Sequence, residues 1–322
     1  MRYVILGAGA VGSTIGGRLH DSGHEVVLAA RGRQYEALRA DGLRLTLADG
    51  VRSLRIPVVG GPDELEPGGD DVLLVAVKTQ DAVAALDAWA PRHGATPVIC
   101  AQNGVEGERL ALRRFAEVYG MCVWLPSVFV EPGVVAAPCA PLTGVLHLGR
   151  YGAGPDDTAH RVAGDLEKSG FAAPVVADVM RWKYAKLLSN LGNALDALTG
   201  DVSSPQAADL LARARTEGRA ALQAAGIAYT PADEERAVRG DRVRPQPVEG
   251  VPKTGGSSWQ SLARATGSIE SDYLNGEIAL LGRTHGVPTP VNDLLQREAA
   301  AAAHAGRGPA SMTAAELAGL VG

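Results

Sequence analysis

Residues 7–12 read Gly7-Ala8-Gly9-Ala10-Val11-Gly12. Glycines at that spacing suit a turn lying against the pyrophosphate of a dinucleotide. The first allows the tight turn, the second lets a phosphate approach the backbone, and the third lets a helix pack on the preceding strand. The amides that open such a helix, and the positive end of its dipole, then face the phosphates. Further on, Ala29-Ala30-Arg31 stands where an acidic residue would bind the ribose hydroxyls of NAD. With no carboxylate there, Arg31 favours a 2′-phosphate and hence NADPH; its other reading is a solvated loop arginine. Lys78-Thr79-Gln80 and Gln102-Asn103-Gly104 follow apolar runs. Lys78 offers charge, and Asn103 both donor and acceptor, to a ribose or a substrate. Both residue types also serve as caps and turn formers.

A second polar group lies in the C-terminal half. On a helix over 182–198, turning 100° per residue, Lys186, Asn190 and Asn193 fall within about 60° of one another. Leu187, Leu188, Leu191, Ala194 and Leu195 take the other side. A solvated face is the ordinary reading of such a stripe. Yet other exposed stretches here carry Glu and Arg, and asparagine is a poor helix former. Ser268 reads as a helix N-cap, with Glu270 and Asp272 in the first turn. Glu270 is alternatively aimed at a ligand or a lysine, and Ser257-Ser258 add hydroxyls.

These residues need particular elements beneath them. Arg2–Leu6 predicts a buried strand that runs into the glycine turn, and Val11–Asp21 a helix capped by Gly23. Glu25–Ala29, Val72–Val77, Pro97–Ala101 and Tyr119–Trp124 predict further strands. The continuous apolar run at 72–77 is typical of a parallel strand covered on both faces. The segments at 128–130, 134–136 and 145–148 read as antiparallel edge additions, followed by a helix over 158–169. From about Val179 the pattern is helical: 181–198, 205–225, 231–239, 258–265, 269–284 and 292–303. A Pro- and Gly-rich stretch at 239–257 reads as a long loop, suspected of closing over the ligand. The expected fold is therefore α/β. A Rossmann-type, doubly wound, mostly parallel sheet domain spans 1–176, and an all-helical substrate domain spans 177–322.

Bulk properties exclude other classes. The chain has 322 residues, a net charge of −5 and no basic block, so no nucleic-acid partner is expected. No run of about 18 apolar residues suggests a membrane span. The apolar stretch from Val4 to Gly17 reads as strand and glycine turn rather than a leader, because Arg18, His20 and Asp21 follow at once. Cys100, Cys122 and Cys139 are odd in number and widely spaced. They suggest free thiols in a reducing cytoplasm, with neither disulfides nor a metal site.

Taken together, the segments GAGAVG at 7–12, VKT at 77–79 and QNG at 102–104 closely resemble the ketopantoate reductase (2-dehydropantoate 2-reductase) family. So do the Lys186/Asn190 pair, Gly-Ser-Ser at 256–258, and IESDYLNGEI followed by GVPTP. The resemblance implies NADPH-dependent reduction of a 2-keto acid to a 2-hydroxy acid, with pantoate as product and a place in pantothenate biosynthesis. It implies Lys186 as the general acid on the ketone oxygen. Asn190 and Ser258 would bind substrate, Asn103 would lie between cofactor and substrate, and Glu270 would pair with the cofactor or with Lys186. The family's second substrate asparagine falls at Ala194, with Asn193 one position earlier, and Trp259-Gln260-Ser261 replaces a familiar Met-x-Gln-Asp, as in a divergent branch. A related dehydrogenase of another keto or imino substrate, and an NADP-binding sensor without turnover, are the alternatives. A small-molecule partner and a monomer or homodimer are expected.

Overall fold

The computed structural model describes residues 1–248 and 255–321. Two compact units divide the chain. One holds Met1–Trp182 and the segment beginning at Pro231; the other holds Lys183–Thr230 and the chain from Gly255 onward.

The first unit begins with β1 (Arg2–Leu6), α1 (Ala10–Asp21), β2 (Glu25–Ala29) and α2 (Gly32–Asp41). β3 (Leu43–Leu47), β4 (Gly50–Leu54), β5 (Val58–Val59), β6 (Asp71–Val75), α3 (Ala82–His93), β7 (Val98–Cys100) and α4 (Gly107–Leu112) follow. Then come β8 (Val118–Trp124), β9 (Val128–Glu131), β10 (Val134–Ala137), β11 (Cys139–Pro141), β12 (Gly144–Arg150), α5 (Asp157–Lys168) and β13 (Phe171–Ala172). The main sheet has the order β13-β12-β8-β7-β6-β1-β2-β5. From β5 to β8 every pairing is parallel, while β12 runs antiparallel to β8. Alternate side chains of β1 serve opposite faces, as the strand's two-residue period requires. Tyr3 and Ile5 join a core with Ile15 and Leu19 of α1 and Leu166 of α5; Val4 and Leu6 join one with Leu86 and Trp89 of α3. Helices on both faces explain why β6 is buried throughout.

The segments expected as antiparallel edge additions divide between two sheets. β12 is such an addition to the main sheet. β9 and β10 instead join a second sheet of order β4-β3-β10-β9, in which β10 runs parallel to β3. Leu43 and Leu45 of β3 turn toward Gly17 of α1, where a Cβ would lie within 3.0 Å of both. This sheet therefore buries a stretch of α1 that the main sheet leaves uncovered.

α6 (Val179–Asn190) is the helix within which the two units divide. α7 (Asn193–Thr199) and α8 (Pro205–Ala224) follow it. α9 (Ala232–Arg239) and β14 (Val243–Pro245) lie with the first unit, and α10 (Ser257–Ala263), α11 (Asn275–His285), α12 (Pro290–His304) and α13 (Ala314–Gly319) with the second. The described elements of the second unit are all helical. Its core joins Leu195 and Leu198 of α7, Leu210 of α8, Leu262 of α10, Leu295 of α12 and Leu317 of α13.

Three elements differ from expectation. The helix expected over 181–198 breaks at Leu191-Gly192 into α6 and α7. The helix expected over 269–284 is a 3₁₀ turn, Glu270–Tyr273, followed by α11; the residue capping the turn is Ile269 rather than Ser268. The stretch at 239–257 is not loop throughout, because β14 pairs antiparallel with β11. Residues 249–254 of that stretch, and with them its expected closure, lie outside the described residues.

Candidate active site

The glycine turn occupies the carboxyl end of β1. There the chain proceeds to β2 on one side while β6 pairs on the other, the switch point where open α/β sheets bind ligands. Each glycine has its own physical reason. Gly7 has φ +103°, and a Cβ there would lie 2.6 Å from the Val77 amide nitrogen. A Cβ on Gly12 would meet the Gly7 carbonyl oxygen at 2.1 Å. Gly9 has φ −81° and nothing within 4 Å of a built Cβ. Its backbone is accessible to any residue, so neither conformation nor packing within the described residues requires glycine there. The turn is pinned from behind. The Gly7 N–H donates to the Ala29 carbonyl at 3.1 Å, and the Ser13 hydroxyl to the Ala8 carbonyl at 2.9 Å. Gln34 Nε2 also donates to the Ala8 carbonyl, at 2.7 Å, while its Oε1 accepts from the Gly133 N–H at 2.8 Å. Sequence reasoning missed Gln34; nothing in the sequence around it signals a bond to residue 8.

A cavity of about 430 Å³ opens over this turn, lined among others by Gly9, Ala30, Arg31, Gln34 and Trp89. Arg31 is exposed at the head of α2 and contributes the cavity's positive charge. The cradle thus fits a dinucleotide: small residues at the turn, the opening amides of α1, and the Arg31 cation in the lining.

Two loops at neighbouring strand ends are tied together. Gln102 Nε2 donates to the Val77 carbonyl at 2.8 Å, and the Thr79 hydroxyl to the Asn103 carbonyl at 3.3 Å. These bonds hold half-buried Lys78 and Asn103 on adjacent loops after β6 and β7.

The remaining candidates lie in the second unit. Lys186 is half-buried and Asn190 buried, four residues apart on α6 and hence on one face. Asn193 lies on the next helix rather than on α6. It opens α7 beyond the break, and its amide oxygen lies 3.6 Å from where a Cβ on Gly256 would stand. Beside it Asp196 accepts from the Gly256 N–H at 2.8 Å. Asn193 and Asp196 therefore face the start of α10, which carries buried Ser258. Glu270 is buried at the head of its 3₁₀ turn. Asp196 was not singled out from the sequence, where it reads as an ordinary helical acid.

Among the described residues no cluster of His, Cys, Asp or Glu is placed to hold a metal ion, and no helix is long and apolar enough to cross a membrane. The three cysteines are buried, and among the described residues none is in a disulfide.

Comparison with known proteins places these features in context. Residues 3–150 match the model of the family described as ketopantoate reductase PanE/ApbA, and residues 178–303 match that family's C-terminal model. The 2-dehydropantoate 2-reductase of Pyrococcus horikoshii is 26% identical over 302 residues, covering 92% of this chain and 95% of the relative. A crystal structure of a PanE/ApbA family ketopantoate reductase from Ralstonia eutropha aligns with a TM-score of 0.79 at 27% identity, over 95% of this chain and 100% of that one. The ternary structure of D-mandelate dehydrogenase with NADH and anilino(oxo)acetate shares the fold, with a TM-score of 0.81 at 23% identity over 96% of this chain and 100% of that one.

Proposed function

The chain belongs to the ketopantoate reductase family of oxidoreductases, and from that premise we propose that it uses NADPH to reduce a branched 2-keto acid, 2-dehydropantoate first among them, to the 2-hydroxy acid of pantothenate biosynthesis. The observation that carries this reading is the pairing of half-buried Lys186 with buried Asn190 one helical turn away. A sensor of NADP needs no such proton donor.

The residues of the first unit hold the cofactor. Gly7 to Gly12 would hold the pyrophosphate and Arg31 the 2′-phosphate, with Lys78 and Asn103 as further cofactor contacts. When bound, the dihydronicotinamide supplies the hydride for the carbonyl carbon. Lys186 Nζ donates a proton to the ketone oxygen and stabilises the negative charge that develops there. Water then reprotonates the amine. Asn190 orients the substrate through its amide, and the Ser258 hydroxyl donates to the substrate carboxylate. Asn193 contributes from the start of α7, next to the segment that carries Ser258. Glu270 keeps a carboxylate acceptor for the Lys186 ammonium or for a cofactor hydroxyl. A keto acid other than 2-dehydropantoate has one observation in its favour. Ala194 packs into the apolar core and offers no polar group where the resemblance expects an asparagine.

The test is NADPH oxidation against a panel of 2-keto acids, with Lys186→Ala alongside. The substitution is expected to lower kcat by about 10²–10⁴-fold with NADPH affinity unchanged. A Lys186→Ala enzyme with parental kcat overturns the assignment of the acid. NADPH binding without turnover of any keto acid overturns the reductase reading.

A further inference from the structure

Asn275 opens α11 and is 0% exposed, with no place among the ligand-binding residues above. Its Nδ2 donates to two acceptors: the Leu191 carbonyl at 3.1 Å and Asn292 Oδ1 at 3.0 Å. Asn292 Nδ2 in turn donates to Glu217 Oε2 at 2.7 Å and to the Ala214 carbonyl at 2.9 Å. Glu217 also accepts from the Val291 and Asn292 backbone amides, each at 3.0 Å, and so closes the first turn of α12.

The direction of this chain is set by chemistry. A backbone carbonyl only accepts, so with the Leu191 carbonyl at one end and the Ala214 carbonyl at the other each amide has one possible orientation. Among the described residues Asn275 Oδ1 has no donor, and both hydrogen bonds of the side chain are donations. The chain ends on Leu191, the residue immediately after Asn190 and the first of the break between α6 and α7. A carbonyl at a helix end has lost its intrahelical partner and needs another donor. Asn275 supplies it from 84 residues away. Gly218 of α8 braces the same place, since a Cβ there would lie 2.7 Å from Leu188 and 3.0 Å from Leu191.

We propose that Asn275 is a positioning residue for the reduction. Through the Leu191 carbonyl it fixes where α6 ends, and so where Asn190 and, one turn earlier, Lys186 are held. This rests on the assignment of Lys186 and Asn190 above. It predicts that losing the donor misplaces the acid and the substrate amide while the first unit's cofactor cradle is untouched.

The experiment compares Asn275→Asp and Asn275→Ser with the parent enzyme by steady-state kinetics, NADPH titration and circular dichroism. Lys186→Ala is run in the same assay. Asn275→Asp puts a carboxylate against two acceptors at nearly constant volume; Asn275→Ser keeps a shorter donor. The folded variants are expected to lose kcat by about 10²-fold, the cost of a misplacement near 1 Å, and to show a raised keto-acid KM with NADPH Kd unchanged. A buried carboxylate has a raised pKa, and once protonated it regains a donor for the Leu191 carbonyl. The kcat of Asn275→Asp relative to the parent should therefore rise about 10-fold from pH 8 to pH 5.5. A purely structural role would lower the folded fraction and leave KM and the pH ratio alone. That result, or failure of both variants to fold, overturns the proposal. A Lys186→Ala enzyme as active as the parent locates the failure instead in the assignment of the acid.

Discussion

Single residues here separate backbone reasons from ligand reasons. Gly7 and Gly12 are glycine because the fold leaves no room for more, whereas Gly9 faces open space with an ordinary negative φ. Gly12→Ala is therefore expected to destabilise the protein by about 1–3 kcal/mol, because the methyl must displace the Gly7 carbonyl. Gly9→Ala should unfold within about 0.5 kcal/mol of the parent yet bind NADPH at least ~10-fold more weakly, a loss of about 1.4 kcal/mol. Urea denaturation and a cofactor titration on both variants decide the matter, and equal NADPH affinity in Gly9→Ala would remove the phosphate from that position. The proposed preference for NADPH rests on Arg31. A charged hydrogen bond is worth about 1.5–3 kcal/mol, so Arg31→Ala should lower kcat/KM for NADPH by about 10–100-fold and barely change that for NADH. A parent enzyme with equal kcat/KM for the two cofactors would refute the role given to Arg31.

Elements show where local pattern suffices and where it does not. Asp196 of α7 ties down the Gly256 N–H, and a Cβ on Gly255 would clash with both Asp196 and Trp259. The start of α10 is thus seated on α7, and Ser258 goes where that seat puts it. Asp196→Ala is expected to cost about 1 kcal/mol of stability, the bond being solvent-exposed, and to raise the keto-acid KM several-fold with NADPH Kd constant. Thermal unfolding with steady-state kinetics measures both, and an unchanged KM would detach α10 placement from substrate binding. The run from β1 through the glycine turn to α1 was legible in the sequence because each piece follows its own short-range period. The break between α6 and α7 was not. Asn190-Leu191-Gly192-Asn193 is compatible with a continuing helix, and the donor that holds the interruption is the distant Asn275. The second sheet was hidden for the same reason, since β10 finds its parallel partner β3 some 90 residues earlier. The site divides likewise: Lys186, Asn190 and Asn193 were readable as polar residues at helical spacing, while Asp196 and Gln34 acquire their meaning only from contacts that no spacing encodes.

At the scale of the whole molecule, the residues proposed for the cofactor's phosphates, Gly7 to Gly12 and Arg31, belong to the sheet unit, so its stability bounds the conditions under which they can hold it. One buried group makes that stability depend on pH. His93, in the last turn of α3, is 1% exposed, and its ring lies against Trp89 with centroids 4.9 Å apart. Among the described residues neither ring nitrogen has a hydrogen-bond partner. Burial lowers its pKa below the ordinary histidine value, although Asp71 pulls the other way. The unfolded chain takes up this proton near pH 6.5, the folded one only at lower pH. The unfolded state therefore binds more protons as the solution is acidified. The stability associated with neutral His93 is fully present above about pH 6.5 and is lost as pH falls from there through the lowered folded value, by at most about 1.4 kcal/mol per pH unit for one proton. Replacing His93 by leucine keeps an apolar side chain against Trp89 and removes the proton. The unfolding free energy of His93→Leu, from urea titrations at pH 7.5, 6.0 and 5.0, should consequently fall less steeply than the parent's below pH 6.5. Parallel curves for the two proteins across that range would mean that the acid sensitivity of the sheet unit arises elsewhere.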